Sequence, residues 1–357
     1  MYSVIMAGGI GTRFWPKSRE KKPKQFLKIV SDNSMLRETF DRLKNLKYCS
    51  AEKIFIVANN KWKEQIFDHL PELPAQNYIT EPSGKNTAPC IGLAATIIQN
   101  RDPGAVMGIF PSDHTIGDFD IFKAKVNKGR KVAKNNDILL TFGIQPTRPD
   151  TGYGYIKYNR DKILKNGVFK VNDFTEKPDK ATAQNFLKQG NYLWNSGMFI
   201  WNAQTVLNEI EDHMSGLSQS LKNIQSALGK SNYNSILQQE WKTIDKQSID
   251  YGIMEKSNSV YVIKSNFKWS DVGSWDSLYD LKEKDKDNNV ILSDNIESID
   301  TQNCLIESDS KLISTVGVED LVIVQAGNAT LIAKRGETQK VKDLVNKLRS
   351  EDKDKYL

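Results

Sequence analysis

The chain has 357 residues, of which 39% are hydrophobic and 26% are charged, a composition that excludes a disordered chain and predicts a substantial core. Fifty Lys and Arg residues against forty-four Asp and Glu residues give a net charge of +6. That excess suits an anionic small ligand but lacks the concentrated basic stripe of nucleic-acid-binding proteins. Only three cysteines occur, Cys49, Cys90 and Cys304, and none forms a Cys-X-X-Cys pair, which argues against a disulfide framework or a structural zinc site.

The first residues predict no targeting segment. The apolar run at residues 4–7 has no basic region before it and no small-residue cleavage site after it, so we expect no signal peptide. The longest apolar runs are far shorter than the roughly 20 residues that cross a bilayer. We therefore expect a cytoplasmic protein that binds neither a membrane nor nucleic acid.

In the first third of the chain, β-rich runs alternate with helical patterns. Apolar residues recur at helical spacing in residues 87–99, and residues 119–135 follow Asp118 as a candidate N-cap. Strands separated by helices indicate βαβ units, a mostly parallel sheet covered on both faces, and ligands at the carboxyl ends of the strands. The predicted strands are residues 3–7, 54–58, 106–110 and 138–143.

The rest of the chain predicts more strands, a long helical stretch and a small β-rich end. Predicted strands at 153–158, 169–175 and 198–201 precede a helical stretch from about 203 to 256. After a charge run at 282–287, strands are predicted at 290–292, 304–307, 312–316, 321–324 and 329–333, followed by a helix at 339–349. We predict a main domain over residues 1–289 and a small C-terminal β domain over residues 290–357, ending in that helix.

Three glycines, Gly8, Gly9 and Gly11, follow the first predicted strand. Because glycine has no Cβ, the backbone there can approach a phosphate closely and point N–H groups at it. A tight structural turn explains the glycines equally well. The segment is not a dinucleotide-binding fingerprint, because Phe14 replaces the third glycine, and residues 84–86 do not make a Walker A loop.

Seven cations lie within sixteen residues after these glycines, against one acid, Glu20. They match the charge of a triphosphate, whereas a solvated basic face is the alternative. Neighbouring glycines and prolines are not typical of a solvated helix, so the pattern favours the phosphate. The seven residues are Arg13, Lys17, Arg19, Lys21, Lys22, Lys24 and Lys28.

A family resemblance then becomes specific. Residues 8–16, read as GGIGTRFWP, and residues 23–26, read as PKQF, resemble the signature of the sugar-1-phosphate nucleotidylyltransferases in their mannose-1-phosphate guanylyltransferase form. The similarity extends over nearly the whole chain. Further matching motifs lie, in order, at residues 81–82, 86–89, 111–114, 152–156, 174–178, 194–199 and 269–275.

The resemblance implies a fold and a reaction. The fold is α/β, a Rossmann-like nucleotide-diphospho-sugar transferase fold with a mixed, mostly parallel sheet and a small C-terminal β-helix-like domain, which in relatives contributes to dimer contacts and so suggests a homodimer. The reaction joins GTP and α-D-mannose 1-phosphate with Mg²⁺, giving GDP-mannose and pyrophosphate. The residues after Asn289 are too few for the phosphomannose isomerase domain of some longer relatives, so we expect no isomerase activity.

Two alternatives stay open at this point. The same chemistry with another nucleotide, or with another hexose or heptose 1-phosphate, would leave most of the motifs unchanged. A nucleotide-sugar sensor that binds without turnover is an alternative from a different class, and pyrophosphate release separates it from an enzyme.

The chemistry of such a reaction assigns the charged residues. The attacking phosphate oxygen of a sugar phosphate is already ionised near pH 7, since its second pKa is about 6, so no activated nucleophile is needed and His114 is better explained as a structural hydrogen-bonding residue. Charge and alignment form the barrier. We therefore predict Arg13 and Lys24 as catalytic residues on the triphosphate. Asp113 and Asp271 carry the carboxylate oxygens that Mg²⁺ favours; a cap or turn role is the alternative for either residue alone, and the family resemblance implies that both are Mg²⁺ ligands.

The resemblance completes two predicted binding sets. Lys177 is predicted to hold the sugar phosphate, and Glu176 and Asn195 to meet sugar hydroxyls as directional acceptors and donors. A surface ion pair at residues 176–177, a turn at 195–197 and a helix cap at Thr87 remain alternatives. The nucleotide set is Gly8, Gly9, Gly11, Thr12, Arg13, Lys24, Asn86, Thr87 and Asp113, and the sugar-phosphate set is Gly154, Glu176, Lys177, Asn195 and Asp271.

Overall fold

A computed structural model describes residues 1–165 and 167–357 as two compact units. The first, which we call the sheet unit, comprises Met1–Gly8, Thr39–Ser112 and Ile116–Trp269. The second, which we call the β-helix unit, comprises Gly9–Glu38, Asp113–Thr115 and Ser270–Leu357. The glycine-rich segment and the C-terminal region therefore belong to the same unit, apart from Gly8.

The strands of the first 270 residues include every strand predicted there. In chain order they are β1 (Tyr2–Met6), β2 (Ile54–Asn59), β3 (Tyr78–Glu81), β4 (Val106–Pro111), β5 (Thr115–Ile116), β6 (Leu139–Ile144), β7 (Tyr155–Lys165), β8 (Val168–Thr175), β9 (Tyr192–Asn202), β10 (Val260–Ser265) and β11 (Trp269–Ser270). Strands β3, β5, β10 and β11 were missed by the sequence analysis. The short strands β5 and β11 lie where the chain passes between the two units.

Helices follow most strands of the sheet unit. The helices of the chain are α1 (Met35–Lys44), α2 (Lys63–His69), α3 (Thr87–Arg101), α4 (Phe119–Ala133), α5 (Lys180–Gln189), α6 (Ala203–His213), α7 (Ser215–Ala227), α8 (Tyr233–Thr243), α9 (Trp275–Leu281) and α10 (Val341–Ser350). Asp118 is the N-cap residue of α4, as predicted, but its carboxylate makes no capping hydrogen bond and instead accepts one from Lys268 N. No helix within the described ranges is long and apolar enough to span a membrane.

Within the described residues, nine strands form one sheet in the order β3-β2-β1-β4-β9-β6-β10-β8-β7. Pairing is parallel across β3-β2-β1-β4 and between β6 and β10, and antiparallel at the other neighbours. The predicted α/β class with a mixed sheet is confirmed. Antiparallel pairing is more extensive than predicted, because β7 and β8 form a hairpin rather than a helical crossover.

The register places loop residues at one edge of this sheet. Met6 of β1 lies opposite Val57 of β2 and Pro111 of β4, and Asn59 lies opposite Glu81 at the end of β3. The carboxyl ends of these parallel strands therefore align. Helix α3 packs on this sheet and against α6 and α7, and ten of its fifteen residues are buried.

The β-helix unit contains short strands in stacked parallel pairs. Its strands are β12 (Val290–Ile291), β13 (Ile296–Ile299), β14 (Leu305–Ser308), β15 (Ile313–Val316), β16 (Leu321–Ala326) and β17 (Ala329–Lys334). Strands β12, β14 and β16 pair in parallel, as do β13 and β15, whereas β17 closes the stack as an antiparallel edge. This repeat of parallel rungs confirms the predicted β-helix-like region.

Within the β-helix unit, one hydrophobic core contains residues of the segment Gly9–Glu38 and of the segment Ser270–Leu357. Phe14 packs its ring 4.8 Å from the ring of Trp275, and both belong to a cluster that includes Leu305 and Val322 of the β-helix. Trp15 Nε1 donates to Tyr356 O at 2.7 Å. The segment Gly9–Glu38 is thus folded with the C-terminal strands and helix.

Candidate active site

The glycine-rich loop lies against Lys24 in the β-helix unit. Gly11 has a φ of +73°, and a Cβ added there would lie 2.4 Å from Lys24 Cβ. A side chain at position 11 would therefore be strained and would displace Lys24. Lys24 N donates to Ile10 O at 3.1 Å, and Thr12 begins a short 3₁₀ turn, Thr12–Phe14. The close contact between this loop and Lys24 therefore requires glycine at position 11. Gly9 lies in the same loop, before the turn.

The Lys24 ammonium joins the two segments that carry the predicted metal ligands. Lys24 is only 3% exposed. Its Nζ donates to Asp113 Oδ2 at 2.9 Å, to Asp113 O at 3.1 Å and to Asp271 O at 2.6 Å. A buried cation is stable when its donors are satisfied in this way. The structure therefore brings together Lys24, Asp113 and Asp271, three residues predicted from separate motifs.

The two aspartates of this cluster are held differently. Burial alone would raise the pKa of Asp113, but the charges of Lys24 and His114, together with hydrogen bonds, keep that pKa below its ordinary value. Asp271 Oδ1 accepts from Gly273 N at 3.0 Å, and a Cβ at Gly273 would lie 2.5 Å from Asp271 Oδ2. A glycine at 273 therefore leaves space for the Asp271 carboxylate.

The donor set at this cluster fits a hard cation that also binds phosphate. Among the described residues, no group of three or more His, Cys, Asp or Glu side chains is arranged to hold a metal ion. Mg²⁺ commonly takes one or two protein carboxylates and completes its coordination with phosphate oxygens and water. Asp113 and Asp271 offer that number of carboxylates.

Two of the seven predicted phosphate-facing cations have structural partners instead. Lys17 forms an ion pair with the buried Glu307, and burial lowers the pKa of Lys17. Arg19 Nη1 donates to Asn328 Oδ1 at 2.8 Å and its Nη2 to Ala326 O at 2.9 Å. The prediction is corrected for these two residues, which attach the loop to the β-helix.

Arg13 also contacts the C-terminal segment. Its Nη1 donates to Gln339 Oε1 at 3.0 Å. Gln339 follows the fully buried Thr338, whose N donates to Asp276 Oδ2 at 3.2 Å. A neutral acceptor thus holds the predicted catalytic guanidinium without neutralising its charge.

The predicted sugar-phosphate residues of the sheet unit also lie close together. A Cβ at Gly154 would lie 2.4 Å from Glu176 Oε2 and 3.4 Å from Asn195 Cβ, so glycine leaves space for both side chains. Lys177 pairs with Glu176, as in the surface ion pair considered as an alternative to sugar-phosphate binding. The Lys177 side chain is nevertheless 53% exposed and can be reached by a ligand. Asp271, the fifth residue predicted in this set, belongs to the β-helix unit.

Asp250 is a residue of this group that the sequence analysis missed. Asn195 Nδ2 donates to Asp250 Oδ1 at 2.9 Å. Burial, and next the charge of Glu176, raise the pKa of Asp250 to about 7. The sequence does contain a signal for this residue: Asp250 is the one acid in residues 249–254, where Ile249, Ile253 and Met254 are buried.

Two residues of the predicted nucleotide set, Asn86 and Thr87, lie at the start of helix α3. Asn86, with a φ of 72°, accepts from Thr87 N through its side chain and is the N-cap, so the cap role considered for Thr87 belongs to Asn86. Thr87 Oγ1 accepts from Ile249 N at 2.8 Å. Near them the nearly buried Glu81 has a pKa raised by burial. A Cβ at Gly8 would lie 3.4 Å from Glu81 Oε2.

Comparison with known families agrees with this fold. The nucleotidyl transferase family model matches residues 2–288, and a second model, for the MannoseP isomerase/GMP-like beta-helix domain, matches residues 294–348. The chain belongs to the nucleotidyl transferase family, and its group within that family is the mannose-1-phosphate guanylyltransferases. The predicted family and fold are confirmed.

Individual relatives cover almost the whole chain. It is 40% identical to mannose-1-phosphate guanylyltransferase RfbM of Salmonella typhimurium, over 99% of this chain and 73% of that protein. It is 36% identical to alginate biosynthesis protein AlgA of Pseudomonas aeruginosa, over 98% and 72%. A crystal structure described as mannose-1-phosphate geranyltransferase from Thermus thermophilus is 29% identical, with a TM-score of 0.86 over 98% of this chain and 99% of that one.

Proposed function

We propose that this chain transfers the guanylyl group of GTP to α-D-mannose 1-phosphate, forming GDP-mannose and pyrophosphate with Mg²⁺. The observation that carries the proposal is the buried Lys24 ammonium, which contacts Asp113 and Asp271 beside a glycine loop. A cation that pairs with the Asp113 carboxylate and donates to the backbone oxygen of Asp271 brings positive charge and two acidic residues to one place, which suits a metal–triphosphate complex. The relatives named for this activity support the choice of substrates.

The proposed reaction is an in-line displacement at the α-phosphorus of GTP. A phosphate oxygen of mannose 1-phosphate forms the new bond, and the bond to the β-phosphate bridging oxygen breaks with release of pyrophosphate. No side chain needs to remove a proton from a nucleophile that is already ionised. Arg13 and Lys24 stabilise the phosphate charge as it shifts to the leaving group. Asp113 and Asp271 would hold Mg²⁺, which supplies Lewis-acid neutralisation of phosphate charge when bound.

The sheet-unit group is proposed to bind the sugar phosphate. Asn195 and Glu176 present an amide and a carboxylate for sugar hydroxyls. The Lys177 ammonium, on a flexible and exposed side chain, acts as a point charge for the monophosphate. Its ion pair with Glu176 exchanges for a contact with the ligand, because an exposed ion pair contributes little to stability.

Lys177→Ala is expected to raise the KM for mannose 1-phosphate by about tenfold, since a hydrogen bond to a charged group contributes roughly 1.5–3 kcal/mol. The KM for GTP should change much less, and the effect should shrink as salt screens the ammonium. Steady-state kinetics at two ionic strengths measure both constants. Lys180→Ala removes a nearby exposed charge as the control, and equal changes in both KM values would refute the assignment.

A substrate matrix tests the proposed function itself. The four nucleoside triphosphates are combined with several hexose and heptose 1-phosphates, and pyrophosphate release is measured with the wild type and with Lys24→Met. We expect the highest kcat/KM for GTP with mannose 1-phosphate. A better pair would assign the same chemistry to other substrates, whereas ligand binding without pyrophosphate release would identify a sensor.

The homodimer suggested by the family resemblance is part of this proposal. Exposed apolar side chains on the β-helix include Ile299, Leu312 and Val316, and such groups favour burial against another surface. Sedimentation of the full chain measures its mass directly, and a monomer at all concentrations would refute the dimer.

A further inference from the structure

Asp250 begins a π-helical turn, Asp250–Met254, which connects two predicted parts of the binding site. The residue before it, Ile249, donates its N–H to Oγ1 of Thr87, which belongs to the predicted nucleotide set. Gln247, slightly earlier, accepts from Ala88 N at 3.1 Å. Asp250 itself faces the sugar-phosphate group through Asn195. The backbone before Asp250 is therefore held at the start of α3, while its carboxyl contacts Asn195.

The hydrogen bonds of Asn195 define which way its amide points. Asn195 Oδ1 accepts from Gly197 N at 3.2 Å and from Thr141 Oγ1 at 3.0 Å. Since a backbone N–H can only donate, the oxygen must face Gly197 and the NH₂ group must face Asp250. Asp250 Oδ1 then takes one N–H of that NH₂ group. Without this acceptor the amide would lose the contact that orients its donor side.

The carboxyl groups of Asp250 and Glu176 and the ammonium of Lys177 act on the charge near this amide. A further carboxyl, that of Glu255, accepts from Glu176 N at 3.1 Å. Glu176 and Lys177 follow β8, Asn195 lies on β9, and Asp250 lies on its own turn. The charge of Glu176 opposes ionisation of Asp250, while the charge of Lys177 and the Asn195 hydrogen bond favour it. Burial and Glu176 outweigh these, which places the pKa of Asp250 at about 7.

We propose that Asp250 is a positioning residue of the sugar-phosphate pocket, which orients the Asn195 amide and admits a phosphorylated sugar best when its own carboxyl is uncharged. This inference rests on the proposed function of the same residue group. An ionised Asp250 beside Glu176 would put two negative charges near a ligand that is itself a dianion. Lys177 is the cation whose charge acts on Asp250 there, and it also pairs with Glu176.

The proposal predicts that kcat/KM for mannose 1-phosphate first rises and then falls with pH. A sugar phosphate becomes a dianion as pH rises through about 6, so kcat/KM should increase over that range. Asp250 has a raised pKa and is uncharged below about pH 7, so that favourable state is lost as pH rises further. Above that pKa each pH unit should reduce the uncharged fraction by about tenfold.

Asp250→Asn and Asp250→Ala separate the two roles of the side chain. Asn keeps an oxygen that can accept from Asn195 and carries no charge at any pH, whereas Ala removes both features. In the wild type, kcat/KM for mannose 1-phosphate should fall at least about tenfold between about pH 6.5 and 8.5. In Asp250→Asn this alkaline decline should disappear. In Asp250→Ala the alkaline decline should also disappear, and the KM for mannose 1-phosphate should be about tenfold higher than that of Asp250→Asn at every pH, with a smaller change for GTP.

Binding of mannose 1-phosphate to the full chain is measured by calorimetry at the same pH values, which gives a readout that does not need turnover. If the wild type binds the sugar phosphate without releasing pyrophosphate, the proposed function fails while the Asp250 inference is still tested by the binding profile. Asp245→Asn, at an exposed acid nearby in sequence, is the matched control. An alkaline decline that persists in Asp250→Asn would overturn the proposal. If Asp250→Ala fails to fold, the Asp250→Asn profile alone decides.

Discussion

Exchange of Asp271 or Asp113 for Asn is expected to lower turnover by about 100-fold or more, equivalent to roughly 3 kcal/mol of activation free energy. Asn preserves the shape of the side chain but removes the negative charge that favours a divalent cation. The two variants should differ in stability. Asp113 pairs with the buried Lys24 ammonium, so its loss leaves a buried cation poorly compensated. The Asp271 carboxylate accepts from Gly273 N, a bond that an amide oxygen can replace.

Pyrophosphate release as a function of magnesium concentration, together with thermal unfolding, measures both effects. We expect each variant to need more magnesium, and only Asp113→Asn to have a clearly lower melting temperature. Asp294→Asn makes the same change at an exposed site of the same unit and serves as the control. Wild-type rates for either variant at saturating magnesium would remove that residue from the predicted metal site.

Exchange of Lys24 for Met is expected to lower kcat more than it alters the KM for mannose 1-phosphate. A cation directed at the shifting phosphate charge matters most in the transition state. The same variant loses the contacts with Asp113 and Asp271, so its unfolding is measured alongside its kinetics. A folded variant changed only in sugar-phosphate affinity would contradict the assignment.

The sequence predicted closely those strands that are marked by a continuous run of apolar residues. The apolar runs of β1, β2, β4 and β6 were placed to within one residue at every end, because a buried parallel strand is continuously hydrophobic. Strand β3, with only four residues, becomes a strand through its pairing with β2. Strand β13 likewise depends on β15, and its exposed, partly polar residues give no periodic signal.

Site residues divide in the same way between local and distant information. The motifs located Lys24, Asp113 and Asp271, and the structure brings them together. The charge run could not distinguish Lys17 from Lys24, because the partner of Lys17 is Glu307, 290 residues later. Asp250 was missed because its link to Asn195 spans 55 residues. Spacing in sequence cannot reveal such contacts, since they depend on the tertiary fold.

The domain boundary predicted after Asn289 stays a prediction. The hydrophobic core of the β-helix unit crosses that position in the sequence, so removing the residues after it should affect the N-terminal segment. Phe14, Trp15 and Leu27 share one hydrophobic cluster with residues beyond that boundary, including Val324 and Val345. A chain ending at residue 289 would leave those side chains without most of their partners. Deleting buried contacts on this scale exceeds the few kcal/mol that single core truncations cost.

A chain of residues 1–289 is therefore expected to lose turnover by about 100-fold or more and to aggregate or unfold at lower temperature. Trp15 would lose its acceptor at Tyr356 and Lys17 its partner Glu307, so the loop next to Lys24 would no longer be held. Glu307→Gln tests the same attachment in the full chain, with the exposed Glu319→Gln as its control. We expect Glu307→Gln to lower the melting temperature and to raise the KM for GTP more than that for mannose 1-phosphate, because Gly9–Glu38 carries the predicted triphosphate residues. A soluble 1–289 chain with wild-type kinetics for both substrates would show that the segment holds its conformation without the β-helix.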